Sequence, residues 1–120
     1  MPAQKDTLKD RLSRSLEINI TVTGRKSGRA ISIPVWFVFD EGKLHLLPVE
    51  GSETQWYKNV LKKPLIRIDA HGAQGEFNAA PITDSKQVSS VVEKFRNKYG
   101  AGEVKKYYSK FDVALLVQMR

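Results

Sequence analysis

The chain has 120 residues, of which 41% are hydrophobic and 28% are charged, and these values are ordinary for one soluble globular domain. It contains no Cys, which excludes a disulfide framework, a thiolate nucleophile and a Cys-based zinc site. The formal net charge of +7 is compatible with nucleic acid, with an anionic ligand or with plain solvation. Because the basic residues are spread along the whole chain, nucleic acid is the least favoured of these three.

The longest apolar runs indicate where the protein is expected to be found. No run approaches the roughly 18 residues that a membrane helix needs, and the N-terminus lacks the apolar region of a signal peptide. We therefore expect a cytoplasmic protein in which residues 1–120 form one domain. Residues 1–15 are expected to form an N-terminal helix or arm, since Leu8, Leu12 and Leu16 recur four residues apart.

The stretch from Leu16 to Phe39 predicts a β-hairpin. Apolar residues alternate with polar ones up to Thr23, as in a strand with one buried face. A second apolar run, rich in β-branched and aromatic residues, extends from Ile31 to Phe39. Two such runs joined by a short loop bounded by glycines are typical of paired antiparallel strands.

The loop of this hairpin is Gly24-Arg25-Lys26-Ser27-Gly28-Arg29. Glycine lets backbone N–H groups turn toward an approaching anion, while arginine and lysine supply charge and hydrogen-bond donors. We therefore predict that Arg25, Lys26 and Ser27 contact a phosphate or carboxylate, with Gly24 and Gly28 allowing close backbone approach. The alternative is a solvated hairpin tip, in which basic residues and glycines are also common.

The remainder of the chain predicts further strands with helices attached. A capping-box spacing at Ser52 and Gln55 indicates the start of a helix, and Pro64 limits its end. Asp84 is a predicted cap of a second helix. The predicted elements are a strand Leu44–Val49, a helix Glu53–Leu61, strands Leu65–Ala70 and Gln74–Ile82, a helix from Asp84 to Tyr99, a short helix Glu103–Ser109 and a strand Phe111–Val117.

The order of these elements predicts the fold class. Six strands, one long late helix and no alternation of strand and helix favour a mainly β protein with attached helices (α+β), built on a six-stranded antiparallel barrel.

The chain offers few reactive side chains of its own. His45 and His71 fall on different elements, so we expect no metal site. The G-x-S-x-G motif of many hydrolases is also absent, as are the Walker and Rossmann glycine patterns. A loop suited to anions beside aromatic residues, without a catalytic motif, is typical of chemistry supplied by a cofactor.

Two motifs resemble the deazaflavin-dependent nitroreductase family, within the FMN-binding split-barrel group that includes pyridoxamine-phosphate oxidases. One is TGRKSG followed by Ile33-Pro34-Val35-Trp36-Phe37, and the other is Gln55-Trp56-Tyr57-Lys58-Asn59-Val60-Leu61 with Pro64 soon after. The similarity extends from about Thr21 to Ile68. It implies a split barrel that transfers hydride from reduced deazaflavin coenzyme F-420 to a small electron-poor substrate.

The resemblance also implies roles for individual residues. Pro34 and Trp36 would flank the cofactor ring, Trp56 would lie near the ring, and Asn59 would point toward its polar tail. Tyr57 and Tyr99 are the residues we expect to donate a proton or a hydrogen bond. Packing in the core is the competing interpretation of both tryptophans and of Tyr99, and helix solvation is the competing interpretation of Asn59.

Other interpretations stay open. The same fold could bind FMN, or it could be a non-catalytic barrel that holds an anionic ligand. Family members usually carry a lysine and two glycines where this chain has residues 49–53, VEGSE, and here the chain resembles a neighbouring uncharacterised split-barrel branch. Glu50 would repel an anionic tail by about 1 kcal/mol. The resemblance further implies a homodimer.

Overall fold

The structure of the protein is a computed structural model, and it describes residues 7–119. The predicted N-terminal helix or arm covers residues 1–15, of which residues 1–6 lie outside the described residues. The α-helices of the described part are α1 (Leu8–Arg14), α2 (Gln55–Lys62), α3 (Ser85–Tyr99) and α4 (Ala101–Tyr107). The strands are β1 (Ile18–Thr23), β2 (Ala30–Val35), β3 (Phe37–Asp40), β4 (Lys43–Leu46), β5 (Leu65–Ala70), β6 (Ala73–Ile82) and β7 (Ala114–Gln118).

The strands form one antiparallel sheet in the order β2-β1-β5-β6-β7-β4-β3. The long strand β6 pairs with β5 through its first half and with β7 through its second half. It therefore connects two half-sheets. The sheet is curled, and the two strands at its ends, β2 and β3, directly follow one another in the chain. This is the split-barrel arrangement of an α+β protein that the sequence predicts.

The strand count differs from the prediction, because the run from Ile31 to Phe39 is two strands and not one. Val35 pairs with Ile18 in one half-sheet, Phe37 pairs with Leu46 in the other, and Trp36 lies between them outside both ladders. Seven strands result among the described residues instead of six. The break leaves no trace in the apolar pattern, because apolar residues continue on both sides of it.

Several further boundaries differ from the prediction, and the final strand begins at Ala114 instead of Phe111. The strand predicted to end at Val49 ends at Leu46, and the predicted cap Ser52 instead bonds to Asp112, so α2 begins at Gln55 after the N-cap Thr54. The short late helix begins at Ala101, two residues earlier than predicted. At Ser52 a contact from a distant part of the chain overrides the local capping pattern.

The buried apolar residues form two clusters on opposite faces of the sheet. The first fills the barrel interior and is centred on fully buried residues of β1, β3, β4, β5 and β7, among them Ile20, Phe37, Leu44, Ile68 and Leu115. The second packs α3 and α4 against the outside of the sheet and includes Val88, Phe95, Val104 and Tyr108.

Backbone groups at the break between β2 and β3 bond to side chains from α3. Phe37 N–H donates to the Tyr99 hydroxyl at 3.1 Å, and the Phe37 carbonyl oxygen accepts from Lys98 Nζ at 2.9 Å. The Tyr99 hydroxyl also donates to the carbonyl oxygen of Leu16 at 2.7 Å. A polar group that is buried without a partner costs stability, so these contacts fix the break where it is.

Candidate functional site

A cleft of about 500 Å³ opens beside the break between β2 and β3. It is bounded by the start of β1, the end of β2, the segment after β4, α2 and the C-terminal end of α4. Most of its walls are apolar or aromatic, and Glu17 is the only charged side chain among the described residues that line it. The lining residues are Glu17, Ile33, Pro34, Val35, Trp36, Leu47, Val49, Trp56, Tyr107 and Tyr108.

Trp36 is held in the cleft wall by aromatic contacts. Its indole stacks on the Tyr99 ring, with centroids 4.2 Å apart and planes 7° apart. The Tyr107 ring meets it nearly at right angles, at 5.4 Å. Stacked and edge-on contacts of this kind stabilise a fixed ring orientation, so the indole is presented to the cleft in one pose.

The cationic loop between β1 and β2 is attached to α2 by Arg25. The Arg25 backbone N–H and its guanidinium both donate to Asn59 Oδ1, at 3.1 and 2.7 Å, and the guanidinium also donates to Gln55 Oε1 at 2.8 Å. Asn59 is only 6% exposed. The loop therefore lies against α2, the helix that carries Trp56, and is not splayed into solvent.

The glycines of the loop bond within it. Gly24 N–H donates to the carbonyl oxygen of Arg29, and Gly28 N–H donates to that of Gly24, both at 2.8 Å. Gly28 has a φ of 73°, a conformation that glycine adopts at little cost. The exposed side chains of Lys26, Ser27 and Arg29 are therefore the groups best placed to meet an anion at this loop.

The two tyrosines predicted as proton donors do not line the cleft. Tyr57 is 3% exposed, packs in the barrel core, and has its pKa raised by burial. Burial also raises the pKa of Tyr99 to about 12, and its hydroxyl is bonded to backbone groups of Leu16 and Phe37. The tyrosines that do line the cleft are Tyr107 and Tyr108, of which Tyr107 is 52% exposed.

Among the predicted ring-binding residues, Pro34, Trp36 and Trp56 line the cleft together, and Asn59 anchors the loop beside it. The cleft residues that the sequence did not single out include Glu17, Leu47 and Val49. No local motif marks them, because β1 and the segment after β4 approach each other only in the folded chain. The late tyrosine pair was noticed in the sequence, but helical spacing favoured Tyr99 over Tyr107.

The wall that carries Leu47 and Val49 is fixed by the segment after α4. Asp112 accepts from the backbone N–H of Ser52 at 2.9 Å and from its hydroxyl at 2.5 Å. Ser109 N–H donates to the carbonyl oxygen of Val49 at 2.8 Å. The cleft is therefore built on hydrogen-bonded elements on this side.

Two other kinds of site were sought in the described residues 7–119. No group of three or more His, Asp or Glu side chains there could hold a metal ion. None of the helices in that part of the chain is long and apolar enough to cross a membrane.

Solved structures with the same fold match most of the chain. An F-420-H2-dependent reductase (FDR-A) is 19% identical, with a TM-score of 0.66 over 85% of this chain and 93% of that one. A domain-swapped dimer is also 19% identical, with a TM-score of 0.67 over 85% of this chain and 79% of that one. An FAD-binding protein of Mesorhizobium loti is 12% identical, with a TM-score of 0.57 over 93% and 86% of the two chains. No curated protein sequence matches.

The fold and its lateral cleft define a split-barrel protein. The family model described as an uncharacterized protein conserved in bacteria (DUF2255) matches residues 9–114. The chain belongs to this family.

Proposed function

We propose that the protein is an oxidoreductase that binds reduced deazaflavin coenzyme F-420 and reduces a small electron-poor substrate. The observation that carries the proposal is a cleft lined by both Trp36 and Trp56, together with a cationic loop that Arg25 attaches to α2, the helix that carries Trp56. Apolar walls suit a planar ring, and exposed cations suit a negatively charged tail.

The residues present fit such a coenzyme in both of its parts. The volume of about 500 Å³ and the apolar lining suit a tricyclic ring. The Arg25 guanidinium is already bonded to Gln55 and Asn59, so Lys26, Ser27 and Arg29 would supply the main contacts to phosphate or carboxylates. Arg25 then acts by holding the loop in place.

When bound, the coenzyme supplies a hydride. The protein's own contribution is to bind and orient the reactants and to exclude water from the cleft with Pro34, Trp36 and Trp56. We assign proton delivery to the hydroxyl of Tyr107, which lines the cleft and reaches solvent. Tyr57 and Tyr99 are less suited, because neither lines the cleft and burial raises both of their pKa values.

FMN is the second candidate, and the acidic segment after β4 favours it. Glu50 and Glu53 occupy the region where the deazaflavin family usually carries a lysine, which disfavours a long polyanionic tail. Lys26 and Arg29 still suffice for a single phosphate. A purified protein that is yellow with flavin absorbance would favour FMN over a coenzyme loaded from outside.

A non-catalytic barrel that holds an anionic ligand is the candidate from another class. It would bind an anion at the same loop but would not oxidise either reduced coenzyme in the presence of nitro, quinone or activated alkene acceptors. Steeply salt-dependent binding to nucleic acid, with no affinity for a coenzyme, would support this reading instead.

The test of the leading proposal is a titration with oxidised coenzyme F-420, followed by Trp fluorescence. The chain has two tryptophans, and both line the cleft, so the signal reports on this site. We expect binding at micromolar concentrations, weakened roughly tenfold, or about 1.4 kcal/mol, by the double variant K26A/R29A. The matched control is K62A/K63A, which removes two exposed cations at the far end of α2 and should leave the affinity unchanged. No binding at micromolar levels, or equal affinities for all three proteins, would refute the proposal.

A further inference from the structure

We infer that the cleft selects a positively charged organic molecule as the protein's substrate, such as a compact amine or a quaternary nitrogen compound. The inference deepens the proposed function and rests on it, because the bound cation is a substrate only if the protein is an oxidoreductase. It is carried by one juxtaposition: several aromatic rings and a single carboxylate line a cleft in which no described cation takes part.

The charge of the cleft is opposite to that of the chain. The formal net charge is +7, yet the one charged side chain lining the cleft in the described part is Glu17, which is exposed. Of the nearby cations, Arg25 donates to Gln55 and Asn59, Lys98 donates to the Phe37 carbonyl oxygen, and Lys106 Nζ lies 5.3 Å from the centre of the Tyr107 ring without itself lining the cleft. Glu17 is therefore the charge that the cleft wall itself presents, and it attracts a cation and repels an anion.

The aromatic lining suits a cation as well. Trp36, Trp56, Tyr107 and Tyr108 all contribute to the walls, and indole and phenol faces attract positive charge through their quadrupoles. Tyr99 covers one face of Trp36, while the Tyr107 ring approaches the same indole nearly at right angles. Aromatic rings at different inclinations form the cages by which proteins recognise quaternary ammonium groups.

Packing alone does not require this arrangement. Phe95, the central ring of the outer cluster, is fully buried, whereas Tyr107 is 52% exposed. An exposed ring and an exposed carboxylate that line the same cleft are better explained by a ligand that both groups contact.

The direct test titrates the protein separately with three probes and compares their affinities, using Trp fluorescence as the signal. They are phenyltrimethylammonium, its neutral isostere tert-butylbenzene, and the anion benzoate. We expect the cation to bind roughly fivefold more tightly than the isostere, and benzoate to bind most weakly. Tighter or equal binding of the neutral probe would overturn the inference.

The carboxylate is tested by E17Q, which changes an exposed residue and should leave the fold intact. We expect the preference for the cation over tert-butylbenzene to fall roughly threefold. The matched control is E103Q, an exposed carboxylate in the first turn of α4 that does not line the cleft, and it should keep the full preference. An unchanged preference in E17Q would contradict the role of Glu17.

The same proteins are titrated with oxidised coenzyme F-420, which separates this inference from the proposed function. Coenzyme binding without a preference for the cation would refute the inference alone. Preference for the cation without coenzyme binding would refute the proposed function and leave a cation-binding cleft. Consumption of reduced coenzyme that is faster with a cationic than with a neutral nitroaromatic acceptor would support both.

Discussion

At the scale of single residues, Tyr99 and Lys98 hold the position of the break between β2 and β3. The Tyr99 hydroxyl accepts from the Phe37 N–H, and its single proton lies between two acceptors, the carbonyl oxygens of Leu16 at 2.7 Å and of Phe37 at 3.0 Å. Lys98 Nζ lies 3.6 Å from the centre of the Phe37 ring and donates to the same carbonyl. Tyr99 thus acts on the cleft through Trp36, which stacks on its ring, and is better described as a positioning residue.

We predict that Y99F lowers the free energy of unfolding by about 1–3 kcal/mol, because buried backbone groups of Phe37 lose a partner while the ring remains. Chemical denaturation followed by circular dichroism measures this. Y107F is the control, since its hydroxyl group is on a half-exposed ring, and it should change stability by less than about 0.5 kcal/mol. Equal stability of both variants would contradict the role of the Tyr99 hydroxyl.

The second residue-scale prediction concerns His45 on β4, which is buried and whose Nδ1 has no hydrogen-bond partner in the described residues. Burial and the nearby Lys94 and Lys43 lower the pKa of His45, while Asp40 partly opposes them. A histidine whose pKa is lowered by folding takes up its proton more readily when unfolded. Its contribution to stability is therefore present above pH 6.5 and is lost as the pH falls.

We expect the melting temperature of the wild-type protein to fall between pH 7 and pH 5, and H45F to flatten that part of the curve. The window lies above the range in which the carboxyl groups titrate. His71 is the other histidine of the chain and is exposed, so H71F is the matched control and should keep the wild-type pH dependence. A wild-type slope in H45F would show that another group is responsible.

At the scale of elements, the short 3-10 helix Gly51–Glu53 joins β4 to α2 and is attached to the segment after α4. Gly51 has a φ of 56°, and a side chain there would collide with Asp112, which accepts two hydrogen bonds from Ser52. Because Leu47 and Val49 lie just before this helix, the attachment fixes one wall of the cleft. Two segments distant in sequence, the 3-10 helix and the segment after α4, thus fix this wall together.

We predict that G51A lowers the free energy of unfolding by at least about 2 kcal/mol, since it combines an unfavourable backbone conformation with a steric collision. G102A is the control, because a methyl group at Gly102 in α4 meets no atom within 4 Å. Thermal melts of the two variants measure the difference. Equal melting temperatures would show that the segment around Gly51 rearranges freely.

At the scale of the whole molecule, the sheet has its least covered strand at β2. Its side chains are exposed or only half buried along its whole length, and Ile31 is 39% exposed. The final strand β7, which also has an apolar run, is flanked by β4 and β6 and is mostly buried. An interface between two copies of the chain would therefore use β2 and not β7, with the cleft at its side.

We predict a homodimer that I31K dissociates, because burying a lysine in an apolar interface is unfavourable. Sedimentation velocity at micromolar concentration measures the state of each protein. L65K, at a 51% exposed leucine of β5, is the matched control and should remain dimeric. A wild-type protein that sediments only as a monomer would contradict the prediction.

The sequence alone determined most of the elements, because periodicity is a local property. The strands β1 and β5, the helices α2 and α3, and the loop from Gly24 to Arg29 follow from alternation, capping residues and glycine positions within a few residues of each other. The pairing of Trp36 and Trp56 at one site could be predicted only through the resemblance of two motifs to a family.

The tertiary structure alone decided the division of the second apolar run at Trp36, the hydrogen bonding of Tyr99 to the break, and the composition of the cleft. Glu17, Val49 and Tyr107 come from distant parts of the chain and carry no shared motif. Their proximity results from the curl of the sheet and from long-range hydrogen bonds such as Asp112 to Ser52. Interactions of this kind depend on the packed whole, so no local pattern encodes them.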